Sequence, residues 1–121
     1  MRKSLMLTVA LLAFSASAAS AQKPVKIGFV STFSGPTAAI GDDMRKSFEL
    51  ALDHNGRKLG GLPVEVIYED DQVKPEVGVQ KVQKLIESDK VDFLVGYIWS
   101  NVAVASLKPI IDSKTDRKSV V

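Results

Sequence analysis

The chain has 121 residues, 45% hydrophobic and 25% charged, the size and make-up of one small globular domain. It contains no cysteine, which excludes disulfides, thiolate metal sites, a cysteine nucleophile and a lipid-modified cysteine. The formal net charge of +2 does not describe the body of the chain: setting aside Arg2 and Lys3 at the start and Asp116, Arg117 and Lys118 at the end leaves 12 basic against 13 acidic residues, and no nucleic-acid partner is expected.

Residues 1–21 read as a cleavable secretory signal. Arg2 and Lys3 form the basic start, residues 4–14 the apolar middle, and Ala19, Ser20 and Ala21 the small-residue cleavage site. The apolar run is about half the roughly 20 residues that a spanning helix needs, so a membrane anchor is the weaker reading. Export with neither a lipid anchor nor a second apolar span points to a soluble periplasmic protein or, second, to release into the medium.

From Gln22 onward strands and helices alternate. Residues 25–30 form an apolar, β-branched run entered through Pro24, as expected of a strand covered on both faces in a parallel sheet. Polarity changes at Ser31. Ser31, Thr32 and Ser34 place hydroxyls just past the strand, and Gly35-Pro36 turns the chain into a helix that Thr37 is suited to cap. That helix is expected over residues 37–55, with Met44, Phe48, Ala51 and Leu52 as its apolar stripe and Asn55-Gly56 as its end. Residues 60–63 make a turn into a second strand, residues 64–68, closed by Glu69, Asp70 and Asp71. Pro75 opens a second helix to Ser88, with Val79, Val82, Leu85 and Ile86 on one face. Residues 91–95 are the third strand. Val104, Leu107 and Ile111 suggest a third helix, with a kink or an early end at Pro109.

The order βαβαβα implies right-handed crossovers and a doubly wound parallel sheet with strand one between strands two and three. The loops after strands one and three, residues 31–36 and 96–100, are then expected to face each other across a crevice at the carboxyl edge, where open α/β sheets bind ligands. A helix N-terminus there favours a carboxylate or another small anion.

Val25-Lys26-Ile27-Gly28, then Ser34-Gly35-Pro36, Ile40-Gly41-Asp42, Gly60-Gly61, Tyr68-Glu69-Asp70-Asp71 and Val95-Gly96 ahead of Ser100 resemble, in order, the start of the branched-chain-amino-acid-type periplasmic binding proteins, the solute receptors of ABC importers. The similarity covers nearly all of residues 23–115. It implies that residues 22–115 are part of the N-terminal lobe of a two-lobed receptor that closes on a small solute and delivers it to an ABC permease in the inner membrane. It also implies that Ser100 bonds the ligand's carboxylate through its hydroxyl and neighbouring N–H groups. Ile40 falls where relatives often carry a tyrosine on the pocket wall. Trp99 and Tyr97 replace smaller or more polar residues and can stack on an aromatic ligand or simply pack against the loop. A plain N-cap is the alternative for Ser100.

Ser34 completes the candidate ligand residues, and no cofactor, metal or catalytic set is expected. His54, the only histidine, lies near a helix end, and there is no nucleophile elbow for a triad. Glu69, Asp70 and Asp71 invite a ribose or metal reading, but the glycines of a dinucleotide site are missing, so a solvated turn in which Asp71 helps start the second helix is preferred. Lys74 is a poor cap. Residues 116–121 break the pattern where a fourth strand was due; they match a translated sequencing adapter and read as a non-native tail, a short natural tail being the alternative. A solute-binding protein leads, followed by a periplasmic sensory domain on the same fold and a flavin- or nucleotide-binding enzyme.

Overall fold

The computed structural model describes residues 22–113; the segments read above as a signal sequence and a non-native tail, residues 1–21 and 116–121, lie outside them. Strand β1 (Val25–Ser31) leads into helix α1 (Ala38–His54), and strands β2 (Lys58–Leu59) and β3 (Leu62–Asp70) follow. Helix α2 (Pro75–Glu87), strand β4 (Phe93–Gly96) and helix α3 (Ser100–Asp112) follow in the described residues. The sheet order is β2-β3-β1-β4. β1 pairs in parallel with β3, from Val25 opposite Val64 to Ser31 opposite Asp70, and with β4 on its other side.

Side chains of β1 alternate between two packed faces. Phe29 meets Phe48 of α1 and Tyr68 of β3, with ring centroids 5.2 Å apart in each pair. Val30 belongs to the opposite core, formed with Val82 and Leu85 of α2, Leu94 of β4 and Ile110 of α3. One helix therefore covers one face and two cover the other, as reversal of the winding beside β1 requires.

Four expectations need correction. Gly60 and Gly61, both with positive φ, close a two-residue hairpin that adds the short antiparallel strand β2 at the sheet edge. Val91 is buried but precedes β4: its N–H bonds the Leu85 carbonyl as part of the turn leaving α2. Helix α3 runs through Pro109 to Asp112 rather than ending early. Its buried residues are Val102, Ser106 and Ile110, whereas Val104 and Ile111 are 66% and 53% exposed, so the expected stripe points outward.

Candidate functional site

The carboxyl ends of β1, β3 and β4 converge on one polar cluster. Because Ser31 sits opposite Asp70, the next residues along, Thr32 and Asp71, also meet. The Thr32 hydroxyl donates to Asp71 Oδ1 at 2.6 Å, and both side chains are completely buried. From the loop after β4, Trp99 Nε1 donates to Thr32 Oγ1 at 3.2 Å. The two loops are thus bridged by an indole instead of standing apart across an open crevice. Asp71 is not a solvated turn residue; it is the buried centre of the cluster, and its Oδ1 also accepts from the Val73 N–H at 2.9 Å.

Two glycines allow this convergence. A Cβ at Gly41 would lie 1.9 Å from the Thr32 carbonyl oxygen, so only glycine lets α1 approach the loop after β1 so closely. Gly96 has φ +110°, and a Cβ there would lie 2.2 Å from the Val30 carbonyl oxygen. Tyr97 follows with φ +69°, and its N–H bonds that same carbonyl at 2.7 Å.

The five nominated residues do not form one wall. Ser100 is exposed as the first residue of α3. The N-cap position belongs to Trp99, in extended backbone and with no side-chain cap bond, so the plain N-cap reading of Ser100 fails. Tyr97 does not stack at the surface: its ring packs against the core under α2 and α3. Burial raises the pKa of its phenol; the Ser106 hydroxyl pulls the other way and Asp71 adds to the rise. Ser34 is exposed, and its hydroxyl acts on Asp70. Burial alone would raise the Asp70 carboxyl, but the Ser34 hydroxyl and the N–H groups of Phe33 and Gln72, at 2.9 and 3.0 Å, outweigh it and hold its pKa below the ordinary value. Ile40 lines an open groove of about 640 Å³ along α1 with Phe29, Met44 and Phe48, a groove to which residues 97–100 contribute nothing.

Thr37 occupies the N-cap position of α1 without making the side-chain bond expected of it. Phe33 is committed to an aromatic cluster with Phe29 and Tyr68, and the Arg45 guanidinium lies over its ring at 5.4 Å. Thr32 and Asp71 are the residues whose role sequence reasoning missed. The signal available was a hydroxyl run and an acidic pair at the ends of adjacent parallel strands, which becomes informative once the register is known. Among the described residues no group of three or more histidine, aspartate or glutamate side chains is placed to hold a metal ion.

Comparison with known proteins agrees with the topology. Residues 24–114 match the periplasmic binding protein family. The Leu/Ile/Val-binding protein BraC3 of Rhizobium johnstonii is 35% identical over 100 residues, which cover 81% of this chain and 27% of that protein. An ABC transporter substrate-binding protein from Sphaerobacter thermophilus superposes with a TM-score of 0.73 at 36% identity, over 77% of this chain and 25% of that one. A solute-binding protein from R. palustris, solved in complex with benzoate, gives 0.72 at 31% identity, over 77% and 26%. The chain thus spans about a quarter of the length of the relatives it matches. With the family match extending over most of its length and the fold superposing on solved members, the chain belongs to the periplasmic binding protein family of ABC-transporter substrate-binding proteins.

Proposed function

We propose that residues 22–113 are the opening part of the first lobe of an extracytoplasmic receptor that captures a small carboxylate-bearing solute and delivers it to an ABC permease. The observation that carries this reading is Ser100, exposed at the uncapped N-terminus of α3 and adjacent to an indole fixed across the facing loop. A serine hydroxyl and first-turn N–H groups suit a carboxylate, and the helix dipole favours its charge. Trp99 offers the flat apolar surface that an aromatic acid would stack on, which favours an aromatic carboxylate over a branched aliphatic amino acid. The opposite wall of the site belongs to a second lobe.

Titration calorimetry of the complete protein with benzoate and with leucine is the test. Ser100→Ala should cost about 1.5–3 kcal/mol, the value of a hydrogen bond to a charged group, and so weaken binding roughly 10- to 150-fold. An unchanged dissociation constant would remove Ser100 from the site. Stabilisation of the protein by sugars or metal ions alone would exclude both ligand classes.

A further inference from the structure

Asp71, Thr32 and Trp99 form a chain of hydrogen bonds whose direction is set by chemistry. An indole N–H only donates, so Thr32 must accept from Trp99 and give its own proton to Asp71. Donation to the acid in turn makes the hydroxyl oxygen a better acceptor for the indole. The inner end of the chain is rigidly held. Asp71 and Thr32 are fully buried, and Asp71 Oδ1 also accepts the N–H of Val73. Gln72 and Val73 have φ of 53° and 62°, a left-handed pair that includes a β-branched residue. Such backbone persists only where its surroundings over-determine it. Here Asp70 bonds the Gln72 N–H and Asp71 the Val73 N–H.

We propose that Asp71 is the positioning residue of the solute site, holding Thr32 and, through it, the Trp99 ring at a fixed angle beside Ser100. This rests on the reading of the Trp99–Ser100 loop as a solute wall. With its N–H turned inward, Trp99 presents a flat apolar ring and no polar edge, so the relay selects for the unsubstituted face of a planar ligand. It also carries the strained turn before α2 and the start of α3 as one unit, because Asp71 bonds the first and Trp99 forms the N-cap of the second.

The test is the indole N–H resonance of Trp99 in the complete protein, assigned by its loss in Trp99→Phe. In the unmodified protein its hydrogen exchange should be at least about tenfold slower than that of a free indole, the protection expected of a closed hydrogen bond. Thr32→Val should abolish that protection and weaken benzoate binding roughly three- to tenfold, whereas Thr32→Ser should retain both. Protection that persists in Thr32→Val, or is lost equally in Thr32→Ser, would overturn the relay. If Thr32→Val does not fold, exchange in the unmodified protein decides alone: an unprotected indole overturns the proposal and a protected one supports it. Failure of the unmodified protein to bind any acid, with the indole protected, would refute the solute-site reading instead.

Discussion

At the scale of single residues, the carboxyl edge is organised by two neighbouring acids, Asp70 and Asp71: Asp71 Oδ1 is bonded by Thr32 and Val73, while its buried Oδ2 has no partner among the described residues. Asp70 accepts the Phe33 N–H from the loop after β1 and the Gln72 N–H from the turn before α2. It ties two loops together, and its pKa lies below the ordinary 3.8 for that reason. Glu49, bonded by the Tyr68 hydroxyl and Arg57, and Glu69, paired with Lys81 and Lys84, are likewise held below 4.5. A carboxylate whose folded pKa is depressed contributes stability that is complete above its unfolded pKa and is lost as pH falls through the folded value. Urea midpoints of the complete protein should therefore hold steady down to about pH 5 and fall below about pH 4.5. Asp70→Asn should lower the midpoint near neutrality and flatten this acid limb. An acid limb as steep as in the unmodified protein would show that Asp70 contributes nothing to it.

The three helices depend on different partners. α1 rests on an aromatic layer of Phe29, Phe33, Phe48 and Tyr68, supplemented by the Tyr68–Glu49–Arg57 chain. α2 and α3 lie against each other so closely that a Cβ at Gly78 would be 2.4 Å from Val102 Cγ1. That contact sets the rotation of α3, turning Val102, Ser106 and Ile110 inward. Ile110→Ala should cost about 2–5 kcal/mol in a urea melt, as a buried large-to-small change does. Ile111→Ala, at a half-exposed position, should stay within about 0.5 kcal/mol. Equal losses would mean that the helix is rotated from this arrangement. The same pair shows where sequence reading stops. The existence and ends of α1 and α2 were legible because the apolar period, Pro75 and Asn55-Gly56 are local signals. The buried face of α3 was not, because Val104, Leu107 and Ile111 satisfy a helical period as well as the inward residues do, and only the position of α2 decides between them. β2 was too short to show a pattern. Likewise the start of a helix at Ser100, just past β4, was legible, whereas the Thr32–Asp71 pair depends on strand register, and the inward turn of Tyr97 on the backbone conformation after Gly96.

At the scale of the whole molecule, two surfaces stand open among the described residues. The outer edge of β4 has no neighbour among the described residues. α3 presents Val104, Leu107 and Ile111 outward, at 66%, 36% and 53% exposure. An unpaired strand edge is a template for other chains, and an apolar helix face beside it adds a driving force for association. A unit of this size also buries a smaller fraction of its surface than a full domain, so its stability margin is narrow. Residues 22–113 expressed alone should therefore associate at micromolar concentrations, unfold over a broad urea range and, on the two-lobed reading proposed above, bind benzoate or leucine weakly for want of a second wall. Sedimentation velocity, a urea melt and a ligand titration on that segment check the three outcomes. Val104→Lys together with Ile111→Lys should reduce the association without sharpening the melt, because the substitutions charge the helix face but leave the β4 edge open. A monomer with a sharp transition and micromolar affinity would show instead that β4 tolerates its open edge, that the α3 face is an ordinary scattering of surface residues, and that one wall suffices for binding.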